Sequence, residues 1–115
     1  MNCNTQNAKL GTITEKTLVV GIDVGSEMHY ARAFDWRGYE YSTKAFQFSN
    51  TEAGFSSFYT WMQDIATENG KQEILPGMEP TGHYWFCLAA WMITNGISVV
   101  QVNPYAVKQT KELLV

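Results

Sequence analysis

The sequence feature that most constrains the fold is a short apolar run, residues 18–24, that contains one carboxylate. The run reads Leu-Val-Val-Gly-Ile-Asp-Val, and its β-branched residues favour a β-strand. A strand that is apolar at nearly every position is typical of a sheet with both faces covered, as in α/β proteins. A buried carboxylate is unfavourable unless it has a partner or binds a metal. Asp23 is therefore the first candidate functional residue, and capping of the following turn is its alternative role.

The residues that follow predict two more strands and then a helix. Residues 28–34 and 39–48 have the composition of strands, and the turn between them ends at Gly38. Ser49 and Glu52 fit a capping box, which predicts a helix start. An apolar stripe at helical spacing supports that helix, and it consists of Phe55, Phe58, Met62 and Ile65. The later elements are a strand at 73–78, a helix at 83–95, a strand at 97–102 and a helix that begins at Asn103 and Pro104.

This order of elements, βββ-α-β-α-β-α, is the layout of the ribonuclease H-like fold. We therefore expect a three-layer α/β domain with a mixed five-stranded sheet in the order 3-2-1-4-5. Residues 1–16 lack an apolar period and are predicted to be a flexible leader, so residues 17–115 form the domain. Because the chain ends at Val115 within an apolar helical pattern and without a stop signal, the domain is predicted to be incomplete, truncated at its C-terminus.

Composition and charge exclude several classes of protein. The apolar run at residues 86–93 has eight residues, whereas a membrane span needs about 20, and the polar first sixteen residues lack a secretory signal. The two cysteines cannot form a disulfide framework, so a reduced, cytoplasmic setting is expected. With eight basic residues and a net charge of −3, this segment is not expected to grip nucleic acid by itself.

Glu79 is the second candidate functional residue. It stands at the end of the fourth predicted strand, directly after Met78 and before Pro80. In the predicted fold the first and fourth strands are parallel neighbours, and ligand sites gather at the carboxyl ends of such strands, so Asp23 and Glu79 are expected to lie together. Carboxylate ligands favour Mg²⁺ or Mn²⁺. The alternative is that Glu79 is an acidic residue stabilised by a helix N-terminus.

Other polar and aromatic residues are weaker candidates. Asp35, Glu40 and Asp64 are interpreted as solvated charges, and His29 as a surface or packing residue. His83 and Cys87 are four residues apart and could contribute to a zinc site, but Pro80 and Gly82 separate Glu79 from their helix, which disfavours zinc. Trp36, at the predicted hairpin tip, is the aromatic residue most expected to be exposed.

Three segments of the sequence resemble one known family. They are Val20-Gly-Ile-Asp23-Val, Gly77-Met-Glu79-Pro-Thr-Gly-His-Tyr-Trp85 and Gly96-Ile-Ser-Val-Val-Gln-Val-Asn103-Pro104. They resemble the N-terminal, RuvC-like domain of the DEDD transposases of the insertion-sequence "one-ten" family, a group that includes pilin-gene inverting recombinases. The resemblance covers roughly residues 17–115, and the Met-Glu-Pro-Thr-Gly-x-Tyr-Trp string is its most specific part.

The resemblance implies a function in transposition. Asp23 and Glu79 match the family's first two acidic ligands of a magnesium site for DNA strand cleavage and exchange. The other two acidic ligands and a serine nucleophile would follow residue 115, so this fragment alone is expected to be inactive. The implied partners are DNA, a structured guide RNA and further copies of the protein. Many members have a lysine shortly after the first Asp, where this chain has Ser26 and Glu27.

Three alternatives remain open at the level of sequence. A Holliday-junction resolvase-like nuclease would use similar metal chemistry. An actin-like ATPase or sugar kinase also begins with a Gly-Ile-Asp-x-Gly-Ser phosphate loop, although it gives Glu79 and the residues after it no obvious role. A non-catalytic dimerisation module could use the apolar second helix and the apolar face at Leu113 and Leu114.

Overall fold

Seven strands and helices make up the part of the chain that the structure, a computed structural model, describes, namely residues 13–78 and 84–101. The strands are β1 (Thr17–Asp23), β2 (Met28–Phe34), β3 (Phe46–Ser49), β4 (Glu73–Met78) and β5 (Val100–Gln101), and the helices are α1 (Glu52–Glu68) and α2 (Phe86–Thr94). The predicted third helix, from Asn103 onwards, and residues 1–12 of the predicted leader lie outside the described residues.

Strand β1 lies inside a mixed sheet. It pairs antiparallel with β2, which pairs antiparallel with β3, and its other edge pairs in parallel with β4. The two-residue strand β5 pairs in parallel with β4, so the order is β3-β2-β1-β4-β5. The predicted α/β class and the mixed sheet are therefore confirmed.

The third strand is shorter than the sequence predicts. At the last residue of β2, Phe34 forms an isolated antiparallel bridge with Glu40. Next to this bridge, the hydroxyl oxygen of Ser42 accepts a hydrogen bond from the Ala33 N–H at 3.3 Å. Because a side-chain oxygen takes the place of a backbone carbonyl there, the regular ladder is interrupted and β3 begins only at Phe46.

Helix α1 is confirmed, but its cap is Thr51, two residues after the predicted one. The Thr51 hydroxyl accepts a hydrogen bond from the Gly54 N–H at 3.1 Å, which satisfies one free donor of the first turn. Ser49 is still part of β3, where it pairs with Met28. The predicted capping box is therefore wrong in position, because the strand extends into it.

The core lies on one face of the sheet. In β1 the side chains of Leu18, Val20 and Ile22 are buried and belong to the same cluster as the buried residues of both helices. On the opposite face of the strand, Gly21 and Asp23 are exposed. Among the described residues, the prediction that β1 is covered on both faces is therefore wrong. Both described helices contribute to the core on the Leu18 side.

The turn between β2 and β3 is organised around Asp35, which is only 4% exposed. One carboxylate oxygen accepts hydrogen bonds from the N–H groups of Arg37 and Tyr39, both at 2.8 Å, and the other lies 3.3 Å from the Arg37 guanidinium. The interpretation of Asp35 as a solvated charge is thus wrong. Glu40 instead forms an ion pair with Arg32 at 2.7 Å, and Asp64 is exposed as predicted.

The pKa of Asp35 reflects two opposing effects. Burial by itself raises the pKa, but the hydrogen bonds from the Tyr39 and Arg37 N–H groups and the nearby Arg37 guanidinium outweigh it and hold the pKa below the ordinary value of 3.8. The folded-state pKa is therefore below the unfolded one. The ionised carboxylate stabilises the fold above the unfolded-state pKa, and this contribution is lost as the pH falls through the folded-state pKa.

Replacing Asp35 should weaken the fold at neutral pH. Asp35→Ala should lower the free energy of unfolding by about 1–3 kcal/mol, because two backbone donors lose their acceptor. Asp35→Asn, whose amide oxygen can still accept, should lose less. Urea unfolding at pH 7 measures both, with the exposed Asp64→Ala as the control. The gap between parent and Asp35→Ala should narrow in acid below the ordinary pKa, and equal stability at pH 7 would contradict this role.

Candidate functional site

The carboxyl ends of β1 and β4 meet at one edge of the sheet. The parallel register pairs Gly21 with Gly77 and ends with Ile22 beside Met78. Asp23 is the last residue of β1 and follows Ile22 directly, and Glu79 follows Met78 directly in the sequence. Glu79 itself lies outside the described residues, so the predicted closeness of the two carboxylates is not tested.

Asp23 presents its carboxylate on the face of the sheet opposite the core, where Gly21 and Asp23 are exposed. We call this face the open face. The side chain of Asp23 is exposed, and Tyr30 is its antiparallel partner on β2. Within residues 13–78 and 84–101, the Asp23 carboxylate has no hydrogen bond or ion pair, so these residues do not support the alternative role as a cap of the following turn. The prediction that Asp23 is buried is therefore wrong. Its carboxylate nevertheless lies at the end of β1, unpaired within the described part of the chain.

The surface beside Asp23 is flat because two glycines pair there. Gly21 and Gly77 are neighbours across β1 and β4, two residues before Asp23 and Glu79. A Cβ atom added at Gly21 would meet only the Phe34 ring, at 3.9 Å. Glycine inside a strand often marks a place where a ligand or another backbone approaches closely. This part of the open face therefore has room for a ligand next to the carboxylate.

The turn after Asp23 is held in one conformation from the core side. The Gly25 N–H donates a hydrogen bond to Nδ1 of His29 at 3.2 Å, and Nε2 of His29 lies 3.0 Å from the side-chain oxygen of Asn50. The Asn50 N–H donates to the Glu27 carbonyl at 2.9 Å. A Cβ atom on Gly25 would overlap the Met28 carbonyl oxygen, so a larger residue does not fit.

The sequence is compatible with His29 being either a surface residue or a packing residue. In the structure, His29 is fully buried, on the core side of β2. The spacing in the sequence could have predicted this burial. His29, Ala31 and Ala33 are two residues apart along the strand, so their side chains lie on the same face, and all three are buried.

The remaining candidates do not form a second site in the described part. Trp36 is 42% exposed, as predicted, and the Arg37 guanidinium lies 5.7 Å from the centre of its ring. Cys87 is an exposed free cysteine, while His83 lies outside the described residues. No group of three or more His, Cys, Asp or Glu side chains comes together within residues 13–78 and 84–101. In the same ranges, no helix is long and apolar enough to cross a membrane.

Comparison with known proteins identifies the family. A search of curated proteins finds no match to this chain. A family model described as a transposase, for the DEDD type of IS110 elements, matches residues 20–114. The match includes both candidate carboxylates and nearly all of the region in which the sequence resemblance was found. The chain therefore belongs to the IS110-type DEDD transposase family.

Proposed function

We propose that this chain is the N-terminal catalytic part of a DNA transposase and that Asp23 and Glu79 together bind Mg²⁺ or Mn²⁺. The observation that supports this most is the register of β1 and β4, which ends at the pair Ile22 and Met78. Asp23 follows Ile22 as the last residue of β1, and Glu79 follows Met78 in the sequence. Neighbouring parallel strands lie about 4.8 Å apart, so the two side chains can reach the same ion if both leave the sheet on its open face.

The residues present fit a hard divalent cation. Both are carboxylates, which Mg²⁺ and Mn²⁺ prefer. Asp23 is exposed and has no partner among the described residues, so binding an ion breaks no existing contact there. When bound, a pair of such ions stabilises the attacking and leaving oxygens of a phosphodiester, and this arrangement needs about four acidic groups. Two acidic residues do not complete it, so the chain alone should bind the ion weakly and cut no DNA.

The fold we propose is RuvC-like, of the ribonuclease H-like class. The antiparallel meander of β1, β2 and β3, followed by β4 as a parallel neighbour of β1, supports this fold. In open α/β sheets, ligand sites lie at the carboxyl ends of such strands. Asp23 would orient the ion, and the flat surface at Gly21 and Gly77 would let a sugar-phosphate backbone approach it. The net charge of −3 implies that other parts of the assembly neutralise most of the phosphates.

The partners we propose follow from membership of the family. DNA is the substrate, a structured guide RNA selects the sequences to be joined, and more than one copy of the protein takes part. Within this chain, Arg32 and Arg37 each form an ion pair with a neighbouring carboxylate. Their charge is thus already compensated, which agrees with phosphate contacts being made mainly elsewhere.

A transposition assay with the element's own gene product tests the function. Asp23→Asn and Glu79→Gln should each reduce transposition by at least about 10³-fold, because a bound ion supplies several kcal/mol and each 1.4 kcal/mol is tenfold in rate. Asp64→Asn is the matched control, since it removes one exposed carboxylate on α1, and it should transpose like the parent. Transposition at the parent's rate by Asp23→Asn, with equal protein levels, would contradict the proposal.

A further inference from the structure

We propose that His29 and Asn50 are positioning residues for Asp23: they hold the turn after β1 so that the carboxylate is presented in one orientation. This inference rests on the proposed metal-binding role of Asp23. His29 does not touch the carboxylate, which lies on the opposite face of the sheet. It acts through the backbone of Gly25, two residues beyond Asp23.

The hydrogen bonds define the state of the His29 ring. The Gly25 N–H can only donate, so Nδ1 must be the unprotonated acceptor. Nε2 then carries the proton and donates it to the Asn50 side-chain oxygen at 3.0 Å. The opposite orientation of the Asn50 amide would require both ring nitrogens to accept hydrogen bonds, which a neutral imidazole with its one N–H cannot do. The ring is therefore neutral, in the Nε2–H tautomer, and both of its nitrogens are satisfied.

Aromatic packing holds the ring in place. The centroid of the His29 ring lies 5.2 Å from that of Phe48 and 6.3 Å from that of Phe55, and the ring is fully buried. A buried polar pair is unfavourable when only partly satisfied and rigid when fully satisfied. No buried side-chain nitrogen or oxygen lacks a partner within the described ranges. The His29 ring is thus a rigid point of attachment for the turn.

The same pair of residues holds both halves of the turn. His29 binds its first half through the Gly25 N–H, and the Asn50 N–H binds its second half through the Glu27 carbonyl at 2.9 Å. Gly25 lies so close to the Met28 carbonyl oxygen that a residue with a Cβ atom does not fit in the turn. A purely apolar side chain at position 29 would fill the core but leave the Gly25 N–H without its acceptor. His29 and Asn50 therefore fix the backbone of the turn by hydrogen bonds, in addition to filling space in the core.

Two substitutions separate the two hydrogen bonds of His29. In His29→Asn the side-chain oxygen can replace Nδ1 and accept from Gly25, while in His29→Gln the amide nitrogen can replace Nε2 and donate to Asn50. Phe48→Leu is the matched control, because it weakens the same part of the core without removing a hydrogen bond. Its loss of stability measures what packing alone contributes.

The experiment measures Mn²⁺ affinity, from the electron paramagnetic resonance signal of free Mn²⁺, alongside urea unfolding of each variant. His29→Gln should weaken Mn²⁺ binding about 10-fold or more, as is typical when a residue that orients a metal ligand is lost. His29→Asn should recover most of the affinity, and Phe48→Leu should bind like the parent. Equal affinity of His29→Gln and the parent, or an equal loss in Phe48→Leu, would overturn the positioning role.

Two further results keep this inference distinct from the proposed function. If Asp23→Asn binds Mn²⁺ as the parent does, the proposed metal site fails, and the positioning role fails with it. If His29→Gln does not fold, nitrogen NMR of the His29 ring in the parent decides. Mg²⁺ should shift the ring resonances in the parent and not in Asp23→Asn. If Mg²⁺ shifts the amide resonance of Asp23 but not the ring resonances of His29, the positioning role of His29 is contradicted while the metal site is not.

Discussion

Phe58→Ala is expected to lower the free energy of unfolding by about 3–5 kcal/mol, the range for deleting a fully buried aromatic ring. Phe58 is fully buried on the inner face of α1, and its ring stacks on Phe48 of β3 with centroids 4.3 Å apart and planes 6° from parallel. The ring therefore joins the helix to the edge of the sheet. Domains of this size have about 5–15 kcal/mol of stability in total, so the variant should lose about a fifth of it or more.

Urea unfolding of Phe58→Ala beside Phe86→Ala measures this effect. The substitutions are chemically identical, but Phe86 is 55% exposed at the start of α2. Phe86→Ala should therefore lose no more than about 1 kcal/mol, because surface substitutions usually change stability by about 0.5 kcal/mol or less. Equal losses in the two variants would show that the contact between α1 and β3 does not dominate the core.

Asp23→Asn should separate a metal ligand from a structural residue. Without metal, two carboxylates about 6 Å apart repel by roughly 0.7 kcal/mol in water and about 3 kcal/mol at an effective dielectric of 20. Because Asp23 is exposed, the smaller value applies, and in chelator the variant should be as stable as the parent or slightly more so. At an Mn²⁺ concentration ten times the Kd, the parent should gain about 1.4 kcal/mol, a rise of several degrees in Tm.

Thermal melts in chelator and in excess Mn²⁺ check this expectation. The Tm of the parent should rise with Mn²⁺, that of Asp23→Asn should stay nearly constant, and the control Asp64→Asn should behave as the parent. If Asp23 instead caps the turn as a structural residue, the opposite results are expected. Asp23→Asn would then be less stable than the parent in chelator, and Mn²⁺ would raise neither Tm.

The elements that local patterns determine were predictable from the sequence. The β-branched run predicts β1, and the apolar stripe at helical spacing predicts α1. Each pattern is formed by residues close together in the sequence, because strand and helix periods span only a few residues. The start of β3 was not predictable. It depends on Ser42 reaching Ala33 of another strand, and no pattern within residues 39–48 encodes that contact.

The burial of individual polar residues was harder to predict than the elements. The sequence predicts a solvated charge at Asp35, but the turn folds the N–H groups of Arg37 and Tyr39 around the carboxylate and removes it from water. The apolar run around Asp23 predicts that this residue is buried, but it is exposed. Its exposure depends on which elements cover the second face of the sheet, which is a tertiary property. Asp23 was nevertheless correctly expected at the end of its strand.

The central claim, that Asp23 and Glu79 bind one divalent ion, is tested most directly by paramagnetic broadening in an amide NMR spectrum. Substoichiometric Mn²⁺ should first broaden the resonances around both residues, at the ends of β1 and β4, and to a similar degree. In Asp23→Asn the same amount of Mn²⁺ should leave both sets sharp. Broadening confined to one of the two strand ends, or centred on the exposed acidic residues of α1, would contradict a shared ion.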